Sequence, residues 1–191
     1  MKSQFIKPER IDQLRAQIGF KQFLPFDVAL QTGMRIGDVV ALERKSLSRV
    51  AGKYFVDFTA QKTKKSAHVE ITEELYLNLL RNAGKRWLFT SPIHPRRHIT
   101  RQACWERVKK ASKALGYTEQ YSPHSFRKNF AVELLHEKDL GAVQAALQHT
   151  NKDVTALYAY ADGLFGGDPD APLTRRDLPM IVDFILAKLH N

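Results

Sequence analysis

A single strand–turn–strand stretch sits in a chain otherwise cut into helices, and this limits the fold more than any other feature. Tyr54 to Gln61 has the β-branched and aromatic content of a strand, and Ala67 to Ile71 reads as its returning partner. Between them Lys62-Thr63-Lys64-Lys65-Ser66 makes a basic hairpin tip. Upstream, Pro8 at a first-turn position and Gly19 as a stop bracket a helix with Ile11, Leu14 and Ile18 on one side. Phe23 to Gln31 reads as a second, more apolar helix stopped by Gly33, and a short third one from about Ile36 to Leu42 follows. Downstream, Thr72 caps a helix running to Gly84, and Trp87 to Thr90 reads as a short apolar strand. The prolines and histidines of Pro92 to Ile99 prevent regular structure, after which Thr100 caps a helix to Gly116. Pro123 starts the next helix, and Gly141 to Leu147 and Asn151 to Tyr160 form two more. Residues 161–176, rich in Gly, Pro and Asp, read as a linker, and residues 177–191 as a closing amphipathic helix presenting Ile181, Val182, Ile185 and Leu189. The predicted fold class is mainly α with a small antiparallel β-sheet (α+β). At 191 residues the chain fits one domain able to bury its own core.

Charge narrows the partners. The sequence has 30 Lys and Arg against 20 Asp and Glu, a net +10. The stretch from Ala161 is slightly acidic, so the excess is concentrated in the first 160 residues. Such an excess favours a polyanion through counterion release and electrostatic steering, although solubility alone also accounts for it. The one cysteine, Cys104, excludes an internal disulfide and fits a reducing compartment. No apolar run approaches the roughly 18 residues that span a bilayer, and the N-terminus lacks a signal-peptide core. The expectation is therefore a cytoplasmic protein without a membrane partner, in a bacterial, phage or mobile-element setting.

Phosphate chemistry gives the remaining motifs a common reading. Attack on a phosphodiester needs charge stabilisation on the non-bridging oxygens, an aimed nucleophile and a proton for the leaving oxygen. Arginine suits the first task, because its planar fork binds two phosphate oxygens and stays protonated. Arg35 follows the glycine turn at a helix start, and Arg127 lies one turn beyond His124 on the same helix face. Asp38, three residues after Arg35, is placed to hold that guanidinium or to form a plain surface salt bridge. Tyr158 and Tyr160 are candidate nucleophiles, about 200° apart around a helix, so one phosphate can face only one of them. His124 and His149 are suited to accept the phenol proton or to bond the phosphate. Lys62, heading the hairpin tip, is a reasonable proton donor to the leaving oxygen. Read singly, each is equally an ordinary surface arginine, packed tyrosine or solvated turn.

Order and spacing bind them together. Thr32-Gly33-Met34-Arg35-Ile36-Gly37-Asp38, then His124-Ser125-Phe126-Arg127, then His149 with Tyr158 nine residues later, resemble the signature of the tyrosine recombinases, the phage-integrase family. The likeness extends from Gly33 to about Asp162. It implies a single catalytic domain over residues 1–191. It also implies a site-specific DNA recombinase that cleaves and rejoins strands through a 3′-phosphotyrosyl intermediate, with no metal or other cofactor, in integration, excision or inversion. Carried over by position, it assigns Arg35 and Arg127 to the phosphate and His124 and His149 to the two imidazole places. Tyr158 is then the nucleophile in preference to Tyr160. Lys62 becomes the hairpin lysine, with Lys64 as runner-up, and Asp38 the acidic residue behind the site. Lys64, Lys65, Arg96, Arg97, Arg101 and Lys109 are the expected contacts to double-stranded DNA. The implied assembly is a homo-oligomer on DNA, a tetramer in synapsis, and a monomer free in solution, with the closing helix docking either in cis or in trans. Gln148 stands where the family commonly has glycine. Only about twenty residues precede the second helix, so the resemblance implies either an isolated catalytic fragment without the usual N-terminal core-binding domain or a short single-domain recombinase like the fimbrial switch invertases. A DNA-binding regulator without turnover and a type IB topoisomerase-like nicking-closing enzyme are the alternative functions.

Overall fold

Two glycines in positive-φ conformations set the path of the N-terminal helices. The computed structural model describes residues 4–137. Helix α1 (Pro8–Ile18) ends at Gly19, whose φ of 88° turns the chain directly into α2 (Phe20–Thr32). Helix α2 ends at Gly33, at φ 64°, with its N–H donating to the Ala29 carbonyl at 3.0 Å. A left-handed terminal residue of this kind closes the last turn at no steric cost to glycine. The chain then enters the short α3 (Ile36–Val40) with Arg35 as the residue flanking its start. Helix α2 begins three residues before the predicted Phe23, because Pro25 is tolerated inside its early turns.

The sheet has three antiparallel strands in the order β1 (Leu47–Val50), β2 (Lys53–Thr59) and β3 (Ser66–Ile71). β2 and β3 are the predicted hairpin, in register from Tyr54↔Ile71 to Thr59↔Ser66. β1 was not foreseen, since its four residues show no alternation and follow a polar run. A two-residue turn at Ala51 (φ 49°) and Gly52 (φ 80°) pairs it with β2; both positive φ values match the twist of a tight hairpin. Val56 faces the core, fully buried. On the other face Asp57 accepts a hydrogen bond from the Ser48 hydroxyl and pairs with His68 across the strands, so polar contacts stiffen the hairpin below its tip. The predicted strand Trp87–Thr90 is instead a pair of isolated bridges, Trp87 to Glu43 and Thr90 to His98. Four residues between turns make too short a ladder to extend further.

Helix α4 (Glu73–Asn82) is capped by Thr72, and α5 (Arg101–Ala114) by Thr100, whose hydroxyl accepts the Ala103 N–H at 3.0 Å. Cys104 on α5 is fully buried, and burial pushes its thiol up to about 11, as expected for a core residue. Helix α6 (Pro123–Glu137) starts with proline in its first turn. There the Ser122 hydroxyl accepts the His124 N–H while Ser125 Oγ accepts the Ser122 N–H, a reciprocal cap. Phe126 then enters the core between Phe23 and Phe26, with ring centroids 5.5 and 4.7 Å away. Asn129, 1% exposed, holds both backbone groups of Ile6 and ties the N-terminal segment to α6. The chain divides into two compact units, residues 1–130 and 131–191, and the site below lies in the first. His149, Tyr158, Tyr160, the linker at 161–176 and the closing helix at 177–191 lie outside the described residues.

Candidate active site

The turn that ends α2 also orients the site's most buried cation. Arg127 is 3% exposed, and its guanidinium donates to the carbonyl of Gly33. An arginine this deep is not an ordinary surface side chain. The aromatic contact made by Phe126 seats the first turns of α6, and the Gly33 carbonyl then fixes one prong of the fork beside Arg35. The two sequence segments that carry the arginines thus meet through a buried hydrogen bond.

Around them lies a cavity of about 410 Å³, lined by Arg35, Ile36, Gly37, Asp38, Gln61, Lys62, Arg101, Pro123, His124 and Arg127. Four sequence-predicted groups, Arg35, Lys62, His124 and Arg127, therefore line one cavity although their positions span 93 residues. The start of α3, the first turns of α6 and the β2–β3 turn supply them. Arg101, expected as a DNA contact, also lines this wall, and it is shared with a neighbouring cavity of about 310 Å³ that includes Gln102 and Trp105. Sequence reasoning did not single out Gln61 or Trp105. A tryptophan among the basic residues of a helix was the available signal for the second.

Electrostatics in the cavity are dominated by positive charge. His124 reaches solvent at the cavity edge, yet close packing of protein atoms around its ring, then the charges of Arg127, Lys128 and Arg35, lower its pKa to about 4. At neutral pH it is an uncharged imidazole, with one nitrogen able to donate and one able to accept. An anion among these cations would reverse the charge part of that shift. The sign for stability follows from linkage. The unfolded chain takes up a proton near pH 6.5 that the folded chain resists until about pH 4, so stability falls as pH drops through that window. Urea unfolding between pH 7 and 4 should therefore show a shallower decline in His124→Gln than in the parent protein; equal slopes would contradict it.

Asp38 takes a different partner from the one expected. It is buried, and its Oδ1 accepts the backbone N–H of Gln61 at 3.0 Å instead of pairing with Arg35. The side chain is short, and from the first turn of α3 it reaches the hairpin tip. Lys64 and Lys65 are exposed on that tip, and Arg96 and Arg97 are exposed on the loop before Thr100. Lys109 lies on α5 with its ammonium 4.8 Å from the centre of the Trp105 ring. None of these five lines the cavity. Among the described residues, no helix is long and apolar enough to cross a membrane, and no group of three His, Cys, Asp or Glu is placed to hold a metal.

A helical domain with one small sheet brings two arginines, a histidine and a lysine to one cavity, a set of groups able to hold an anion. Comparison with known proteins gives it a family. The sequence profile of the phage integrase family matches residues 9–163, and the chain belongs to that family. The tyrosine recombinase XerD of Shewanella oneidensis is 30% identical over 140 residues, 68% of this chain and 45% of that protein. Among solved structures, the XerH site-specific recombinase bound to palindromic difH substrate in a post-cleavage complex aligns with a TM-score of 0.68 and 20% identity. That alignment covers 84% of this chain and 50% of that one. A lambda integrase tetramer bound to a Holliday junction aligns with a TM-score of 0.68 at 14% identity, covering 83% and 48%. The fold is thus that of these recombinases, and the chain spans about half the length of the relatives it matches.

Proposed function

We propose that this chain is a site-specific DNA recombinase that cuts and rejoins strands through a covalent 3′-phosphotyrosyl intermediate. The observation that carries the reading is the shared cavity of Arg35, Lys62, His124 and Arg127. In it, Arg127 and Arg35 bind the non-bridging oxygens of one phosphodiester and stabilise the charge that grows there as the fifth bond forms. Tyr158 attacks the phosphorus. A phenol is only about one part in a thousand ionised at neutral pH, so a neutral His124, or His149, accepts its proton or steadies the phosphate. The bond to the 5′ oxygen breaks, and Lys62 supplies the proton that lets it leave as a hydroxyl. Attack by a 5′-hydroxyl of another strand reverses these steps and joins new partners.

Double-stranded DNA suits the chain's cationic excess, with Arg101, Lys109, Lys64, Lys65, Arg96 and Arg97 as backbone contacts. The dimer and the tetramer solved for lambda integrase on DNA support assembly of several copies on DNA. A cytoplasmic location goes with that substrate.

A nicked suicide substrate carrying the genomic site the protein binds tests the reading. Cleavage there releases a short strand that cannot return, so the covalent adduct accumulates and survives SDS. The parent protein and Tyr160→Phe should form it, and Tyr158→Phe should form none. Binding without any adduct from the parent protein would favour a regulator. Relaxation of supercoiled DNA without partner exchange would favour a nicking-closing enzyme.

A further inference from the structure

We infer that Asp38 is a positioning residue for Lys62, holding the hairpin tip over the cavity through the neighbouring Gln61 N–H. The inference rests on the reading of Lys62 as proton donor and adds the means by which that lysine is aimed. Lys62 is exposed and lies beyond the last ladder pair, Thr59↔Ser66, so strand pairing does not direct it. Two backbone bonds, Ala60 N–H to the Lys65 carbonyl and Lys64 N–H to the Ala60 carbonyl, close the tip on itself. They fix its shape but not its angle to the arginines. A link to the arginine side comes from Asp38, 8% exposed and three residues after Arg35, whose Oδ1 receives the Gln61 N–H at 3.0 Å. Asp38, Gln61 and Lys62 all line the same cavity.

The geometry separates two roles for one carboxylate. If its work is to accept a hydrogen bond, asparagine can replace it; if its work is to offset the charge of Arg35, asparagine fails as badly as alanine. Displacing a proton donor by about 1 Å costs on the order of a hundredfold in rate. Asp38→Ala should therefore cleave an ordinary suicide substrate about a hundredfold more slowly. Asp38→Asn should recover to within about fivefold of the parent, because a neutral acceptor is the weaker one.

The decisive arm uses DNA in which sulfur replaces the 5′-bridging oxygen. A thiol has a pKa near 8.5, so it leaves as thiolate without a donated proton. Lys62→Ala and Asp38→Ala should then both cleave within a few-fold of the parent protein. Rescue of Lys62→Ala without rescue of Asp38→Ala overturns the inference and leaves Lys62 as the donor. Failure to rescue Lys62→Ala overturns the donor reading and the inference with it. A folded Asp38→Asn that loses as much as alanine on the oxygen substrate also overturns it. Should Asp38→Ala not fold, Asp38→Asn carries the test alone: its residual defect must vanish on the sulfur substrate.

Discussion

Replacing Arg127 with lysine should slow strand cleavage by about a thousandfold while weakening DNA binding by no more than about tenfold. Losing one well-placed donor to a developing oxyanion costs roughly 2.7–4 kcal/mol in the transition state. Under the proposed function, binding to a duplex is shared among many phosphate contacts, of which Arg127 would supply one. Lysine keeps the charge and loses the planar fork, so one ammonium has to choose between the Gly33 carbonyl and the phosphate. Arg127→Ala should be worse, since it also leaves that carbonyl without its donor in a buried place. Single-turnover adduct formation at saturating protein gives the rate, and a gel-shift titration at fixed salt gives the affinity. Equal losses in both would assign Arg127 to binding and remove it from the transition state.

Much of this arrangement was legible because its determinants are local. Gly33 announces a helix stop, Thr72 and Thr100 are hydroxyl caps, and Pro123 marks a first turn; each element begins or ends where those residues stand. The convergence of Arg35, Lys62, His124 and Arg127 was legible only through order and spacing, since nothing within any one segment aims it at another. What stayed hidden depends on contacts between distant segments. Asp38 has a nearby arginine in sequence, yet the N–H it meets arrives from Gln61, 23 residues later, and only the folded hairpin brings it there. Arg101 looks like any cation at a helix start until α5 packs against α3 and its first residue joins the cavity wall. β1 was missed because Leu47–Val50 has neither alternation nor length, and its pairing is dictated by the Ala51–Gly52 turn and an existing neighbour. In Trp87–Thr90 the apolar run overstated the strand, because bulky residues there fill the core rather than a ladder: Leu88 and Phe89 are buried.

The second large effect lies one residue before Arg127. Phe126→Ala should destabilise the protein by about 3–5 kcal/mol, a large part of the stability a domain of this size has to lose. The ring is fully buried, stacked 4.7 Å from Phe26 and edge-on 5.5 Å from Phe23, so truncation forfeits both the transfer energy and two aromatic contacts. Collapse around the gap is limited, because α2 is held at both ends by Gly19 and Gly33 and α6 is held by its serine cap and by Asn129. Phe126→Leu keeps most of the apolar volume and should lose about 1–2 kcal/mol. Urea titrations should show both variants with lowered midpoints and unchanged slopes, the mark of a weaker fold with the same unfolding transition. A loss below about 1 kcal/mol for alanine would mean that α6 is seated by something other than this aromatic trio. The same seat directs Arg127 at Gly33, so Phe126→Leu, still folded at low temperature, should also cleave DNA more slowly than its stability alone accounts for.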